Sequence, residues 1–223
     1  MITKHEEFKE LAKSLELKSL YFKREDLHPF GSHKGRSIPK MIDRYIDHGI
    51  RHFAISSSGN AALAAAFYIT MLNSHEDVLG RNKIKLDILI GQHINTRKLH
   101  KLEPFKSEYI SLTMHERPLQ TLFNITKDEN IKGLRQSTDE FALLGYRELG
   151  EELVNIPDLK SVFIGTSSGT TAQALSEYFK EINREIEMHI VQTASCHPIS
   201  IDFVDSLVDE VSIADAIVDH NAI

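Results

Sequence analysis

His52-Phe-Ala-Ile-Ser-Ser-Ser-Gly-Asn60-Ala-Ala-Leu-Ala-Ala-Ala-Phe-Tyr-Ile69 runs from a short apolar stretch, through hydroxyls and a glycine, into an alanine-rich helix pattern. Residues 52–55 read as a buried strand, 56–59 as a turn and 60–72 as a helix. The pattern recurs later, with a strand at 161–164, a turn at 165–169, a helix at 170–182 and a strand at 188–193. Between and before these, the periodicity predicts helices at 6–15, 34–48, 118–127 and 139–154 and strands at 17–23, 86–90 and 109–112. Short apolar strands alternating with helices need crossovers that lay helices on both faces of a mostly parallel sheet, so the fold class is α/β. In such sheets ligands bind beyond the carboxyl ends of strands, which directs attention to the strand-to-helix turns.

Composition bounds the function. The 223 residues suffice for one large domain or two small ones. Hydrophobic residues make up 41% and charged residues 26%, ordinary values for a globular chain. Lys and Arg number 26 against 32 Asp and Glu, and the net charge of −6 argues against a general nucleic-acid or anionic-membrane binder. The longest apolar run, residues 61–69, falls well short of the roughly 20 residues that span a bilayer. The start, Met1-Ile-Thr-Lys-His-Glu-Glu, does not read as a signal peptide. A single cysteine, Cys196, points to a reducing compartment, and a cytoplasmic location is expected.

Three turns could carry chemistry. In Phe22-Lys-Arg-Glu-Asp-Leu-His-Pro-Phe-Gly-Ser-His-Lys-Gly-Arg36, Lys34 falls at a helix start. The positive end of the helix dipole and the neighbouring Arg36 both disfavour its ammonium form. An amine so placed can form a Schiff base with an aldehyde cofactor; the plain alternative is a solvated surface lysine. Ser56-Ser-Ser-Gly-Asn60 is an anion site at a helix N-terminus, or else an ordinary N-cap. Gly165-Thr-Ser-Ser-Gly-Thr-Thr171 is a phosphate cradle with free amides, or a capped helix start. The last loop lacks the Gly-Lys-Ser/Thr ending of a P-loop, and no G-x-G-x-x-G occurs, so ATP and NAD are poor fits. It also satisfies G-x-S-x-G, with Ser167 as a hydrolase nucleophile and Asp202, Asp205 or Asp209 followed by His220 as partners. No His-Gly-Gly-Gly stretch supplies an oxyanion hole, and the other two turns would go unused. The pair His48 and His52 straddles a helix-to-strand junction and does not read as a metal site.

Together the turns resemble the signature of the fold-type-II pyridoxal-phosphate enzymes, the group of threonine synthase, cysteine synthase, threonine dehydratase and the tryptophan synthase β chain. The resemblance rests on Lys23-Arg-Glu25, Pro29-Phe-Gly31-Ser32-His-Lys34-Gly-Arg36, Ser58-Gly59-Asn60 and the loop from Gly165 to Thr170, in the family's order and spacing. Arg135-Gln-Ser-Thr-Asp139 and Gly145-Tyr146-Arg-Glu-Leu-Gly-Glu-Glu-Leu153 are similar to the threonine-synthase branch, as are Val191-Gln192, Cys196-His-Pro198 and Leu207-Val-Asp-Glu-Val-Ser212. Other features are mixed: Lys23 to Leu27 is nearer threonine dehydratase and tryptophan synthase β, and Gly35 stands where many relatives have Asp.

The resemblance implies two open, twisted, mostly parallel sheets flanked by helices, with the cofactor cleft between them. Residues 1–36 and 136–223 would form a larger domain, expected to be C-terminally short, and 37–135 a smaller one. It implies pyridoxal 5'-phosphate as cofactor, held by Lys34 as a Schiff base, with Lys34 then moving the substrate's α-proton. Asn60 would bond the pyridine O3′. Ser57, Ser58, Gly59 and Asn60 would receive the amino-acid carboxylate. The N–H groups of Gly165, Thr166, Ser167, Ser168 and Gly169, with the Thr170 hydroxyl, would bind the phosphate. Arg24, Glu25 and Asp26 read as support. The implied activity is elimination or replacement at the β- or γ-carbon, nearest threonine synthase. Other fold-type-II activities, a catalytically impaired member and the Ser167 hydrolase are the alternatives. The expected partners are a small amino-acid substrate and a second copy of the chain, or a partner chain that completes the larger domain. No metal, nucleic acid or membrane is expected.

Overall fold

A computed structural model describes residues 2–75, 83–200 and 214. The chain divides into two compact units, Met1–Leu134 and Arg135–Ile223.

The first unit opens with a small antiparallel sheet, β1 (His5–Glu7) against β2 (Tyr21–Lys23), with helix α1 (Lys9–Ser14) between them. The helix expected over 6–15 is therefore shorter than its periodicity suggests. Its first residues pair with β2 in the register His5↔Lys23, and the Phe8 ring meets Phe22 edge-on at 4.6 Å. A cross-strand partner that local propensity cannot foresee wins the segment.

The main sheet is built from β3 (His52–Ser56), β4 (Lys85–Gly91), β5 (Ile110–His115) and β6 (Ile131–Gly133), all parallel, in the order β5-β4-β3-β6. Phe53, Ala54, Leu86, Ile88 and Ile90 are fully buried, as befits strands covered on both faces. Helices α2 (Lys34–Asp47), α3 (Asn60–Ser74), α4 (Thr96–Leu102) and α5 (Pro118–Ile125) supply the cover. The alanines explain how α3 fits: Ala62, Ala64, Ala65 and Ala66 lose all exposure where it packs against α2 and β4. The chain steps outward from β3 to β4 to β5, then returns to place β6 on β3's other side. That reversal makes the carboxyl end of β3, where the Ser56 turn begins, the topological switch point of the sheet. Neither α4 nor β6 was expected from periodicity. The Asn95 side chain, which accepts the Arg97 N–H at 2.8 Å, is the local signal that marks the start of α4.

The second unit packs α6 (Phe141–Leu153) against α7 (Thr170–Glu181), beside the parallel pair β7 (Ser161–Gly165) and β8 (Glu187–Val191). The helices touch so closely that a Cβ on Gly150 would stand 2.4 Å from the Tyr178 ring. Tyr146 is fully buried, and its hydroxyl accepts a hydrogen bond from Gln136 at 3.0 Å. The stretch likened to threonine synthase thus supplies core. Residues 1–36, expected to group with 136–223, lie in the first unit: Thr3 and Glu25 bond to Arg36 at the start of α2, and the Phe30 ring meets Phe67 and Tyr68 of α3.

Candidate active site

Helix α2 begins at Lys34, as expected. Ser32 sets that start, its hydroxyl accepting the Lys34 N–H at 3.2 Å and its carbonyl the Gly35 N–H at 2.9 Å. Gly31 precedes it at φ +83°, a left-handed turn that glycine adopts freely. The Lys34 side chain is half-buried, and its ammonium makes no hydrogen bond or ion pair among the described residues. The next ring along, His33, is pushed down to about 3 by burial first and then by the Lys34 charge, so it is neutral at pH 7.

Arg36 does not bear on Lys34 as the sequence suggested. It is 3% exposed and turned onto Glu25, with Nε to Oε2 at 2.7 Å and a second bond to Oε1 at 2.8 Å, while it also donates to Thr3 Oγ1 at 3.0 Å. A fork-to-fork pair of this kind uses up the guanidinium charge. Burial raises the Glu25 carboxyl, but bonds from Arg36 and Thr3 with the charges of Arg36 and Lys23 outweigh it, and the net shift is downward. Arg24 grips Asp26 through two bonds and reaches Glu6 at 2.8 Å. All three first-turn residues brace the segment that carries Lys34.

In the same unit the Ser57–Asn60 turn leaves β3 at the switch point. Ser57 Oγ accepts the Gly59 N–H at 3.2 Å, which folds the turn back on itself. Helix α3 starts without a side-chain cap, so its first amides lack acceptors and its positive end is open. A Cβ on Gly59 would meet nothing within 4 Å, and the Asn60 side chain is exposed and unbonded among the described residues. This is an open helix N-terminus whose free amides suit a carboxylate or another oxygen acceptor.

The second unit holds the Gly165–Thr170 loop between β7 and α7. Gly169 takes φ +87° and acts as N-cap, its N–H donating to Thr166 Oγ1 at 3.1 Å. The Thr166 N–H is engaged by Val191 O at 3.1 Å. Of the amides expected to bind phosphate, those two are therefore committed internally, whereas the N–H groups of Ser167, Ser168 and Thr170 have no internal acceptor among the described residues. Thr170 is buried, with its hydroxyl 3.0 Å from that of Ser168. The loop so formed is a nest of donors on a helix N-terminus, the arrangement that a phosphate ester requires.

Gln192 organises this loop, and its role was not apparent from the sequence. Its amide nitrogen donates to Ser167 O at 2.8 Å, and its oxygen accepts the N–H groups of Ile199 and Ser200 at 3.2 Å each. The sequence placed it within the strand expected over 188–193 and in the stretch Val191-Gln192 likened to the threonine-synthase branch, neither of which indicates a contact with the loop. The hydrolase partners Asp202, Asp205, Asp209 and His220, and the stretch 207–212, lie outside the described residues. His48 bonds Arg44 O and His52 bonds Asp87, and no metal-binding group of His, Cys, Asp or Glu occurs among the described residues. Nor does any described helix have the length and apolarity to cross a membrane.

The model of the family described as "Pyridoxal-phosphate dependent enzyme" matches residues 2–222. The chain belongs to this family. The pyridoxal-phosphate-dependent enzymes take pyridoxal 5'-phosphate as cofactor, and the lysine, the open α3 terminus and the donor nest are groups that suit its aldehyde, oxygens and phosphate. Solved structures agree on the α/β fold. An aspartate racemase described as pyridoxal 5'-phosphate-dependent is 19% identical at a TM-score of 0.74, the alignment covering 86% of this chain and 57% of that one. The processed form of threonine deaminase isoform 2 from Solanum lycopersicum is 20% identical at 0.71, over 85% and 50%. Maize serine racemase is 16% identical at 0.77, over 97% and 66%. The chain thus spans less than two thirds of the length of each of these structures. No curated protein matches it.

Proposed function

We propose that this chain is a pyridoxal-phosphate enzyme acting on a small amino acid by elimination or replacement at the β- or γ-carbon, with conversion of phospho-homoserine to threonine as the first substrate to try. The observation that carries the reading is the half-buried, unpaired Lys34 amine at the start of a braced helix, in one compact unit with an uncapped helix terminus at the switch point. When bound, the cofactor supplies an aldehyde for an amine and an electron sink that acidifies the α-carbon. In this reading Lys34 holds the aldehyde and afterwards carries the α-proton at Nζ. Asn60 binds a ring oxygen, and Ser57, Ser58 and Gly59 orient the substrate carboxylate. Gly165, Ser167, Ser168 and Thr170 hold the phosphate through N–H groups and the Thr170 hydroxyl, whereas Thr166 and Gly169, whose N–H groups are bonded internally, shape the loop. The threonine-synthase choice rests on the resemblance of residues 135–153 and 191–212. The reading includes a cytoplasmic location, where the lone Cys196 stays reduced, and assembly as a homodimer or with a completing chain.

The test is direct. Purified protein mixed with pyridoxal phosphate should develop the visible absorption of a lysine-linked cofactor, and a protein that stays colourless does not have this function. Phosphate release from phospho-homoserine separates the threonine-synthase reading from a dehydratase, which would release ammonia and a keto acid from serine or threonine.

Gln192→Leu should loosen the phosphate loop without touching Lys34. It strips one acceptor from two backbone amides and one donor from Ser167 O, a loss of about 1–3 kcal/mol. Titration by absorption should show cofactor affinity falling roughly tenfold, with the shape of the absorption band unchanged.

A further inference from the structure

The turn before α2 contains a buried side chain that the functional reading leaves unused. His28 is 4% exposed, its Nδ1 accepts the Phe30 N–H at 3.1 Å, and its carbonyl accepts the Gly31 N–H at 2.7 Å. With Nδ1 as acceptor, the proton of the neutral ring sits on Nε2. The ring is pressed on Gly35, the residue directly after Lys34. A Cβ at that position would stand 2.4 Å from both Cε1 and Nδ1 of His28 and 2.9 Å from the Phe30 Cβ. The space that a side chain at position 35 would need is filled by the imidazole.

One helical bond is missing from this turn, although Ser32 holds the Lys34 and Gly35 N–H groups. The bond that would close on the Gly35 carbonyl should come four residues later, where Pro39 has no N–H. His33, at the N-cap, gives no side-chain cap either. Packing from outside adds to the Ser32 bonds, and the His28 ring supplies it from a fixed position, tied by the Phe30 amide and tilted against the Phe30 ring at 5.6 Å.

We propose that His28 is a positioning residue for Lys34: its ring is the wedge that fixes the Lys34–Gly35 peptide and so the direction from which the Lys34 amine meets its reaction partner. The consequence for catalysis rests on the reading that Lys34 holds the cofactor aldehyde; the wedge itself does not.

The experiment therefore reads Lys34 in two ways. In the full-length chain, acetic anhydride labels lysines, and mass spectrometry gives the Lys34 rate relative to Lys9 in the same molecule. His28→Ala and Gly35→Ala should each change that ratio. His28→Asn, whose amide oxygen can replace Nδ1 as acceptor for Phe30 but which lacks the ring, should fall between His28→Ala and wild type. Gly35→Ala placed in the His28→Ala background should change the ratio less than Gly35→Ala does alone, because the 2.4 Å approach to the imidazole is gone and only the 2.9 Å approach to Phe30 Cβ is left; the coupling should be roughly threefold or more, as for residues in contact. Absorption with pyridoxal phosphate should follow the same order of variants. A Lys34 rate that is unchanged by His28→Ala, or single effects that simply multiply in the double variant, overturns the wedge. Should the wild type give no absorption while the labelling ratios couple as expected, the wedge stands and the cofactor reading falls.

Discussion

Lys34→Ala is expected to abolish the visible absorption that the wild-type chain develops with pyridoxal phosphate, and to cut amino-acid turnover by at least about 10²–10⁴-fold. The magnitude follows from two tasks that the reading gives one side chain. Its amine is the attachment point for the cofactor aldehyde, and the same amine moves the α-proton. Two other cations of the first unit are engaged elsewhere. Lys23 already donates to the Thr3 carbonyl, and Arg36 is locked to Glu25. In the same reading the phosphate nest binds the cofactor without Lys34, so the variant should still quench cofactor fluorescence at higher concentration while staying colourless in the visible. The check is a paired titration by absorption and fluorescence. A coloured, active Lys34→Ala protein would move the chemistry to another residue.

The second large effect lies in the brace beneath that lysine. Arg36→Met should destabilise the first unit by about 3–5 kcal/mol, because it leaves the Glu25 carboxylate buried without its partner. The side chains are 1% and 16% exposed, so solvent cannot make good the loss. Adding Glu25→Gln to Arg36→Met should recover much of the difference, since the unpaired charge is then gone. Denaturant midpoints of the wild type and the two variants decide the matter, and equal midpoints would reduce the pair to ornament.

The pH dependence has a definite sign. Glu25 is held below its ordinary range in the folded chain, so the wild-type pair contributes fully above the ordinary glutamate pKa of about 4.3, and that contribution fades as pH falls toward the lower folded value. In Arg36→Met the largest lowering influence on Glu25 is gone and burial, which raises the carboxyl, is opposed only by the Thr3 bond and the Lys23 charge. The gap between wild type and variant should therefore be widest near neutrality and narrow in acid.

The amino-acid order alone determined the α/β class and most of the elements near the site. Helix starts at Lys34, Asn60 and Thr170 were legible because each is written locally, in a turn of glycine and hydroxyl residues followed by a change of period from two to about 3.6. The glycine loop was legible for the same reason: Gly169 at positive φ needs only its own backbone. What periodicity could not reach were the non-local choices. Residues 6 and 7 carry a helical pattern yet pair with 22 and 21, and the short β6 owes its existence to β3 alongside it.

Tertiary structure decided the details that matter to chemistry. Arg36 turned to Glu25, not to Lys34; Gln192 reached Ser167; and His28 took the room that a side chain at position 35 would need. Each of these depends on one atom excluding or bonding another across a stretch of chain whose path no local rule specifies. Hydrogen-bond capacity and volume belong to the residue, but the partner that uses them is chosen only when the elements pack.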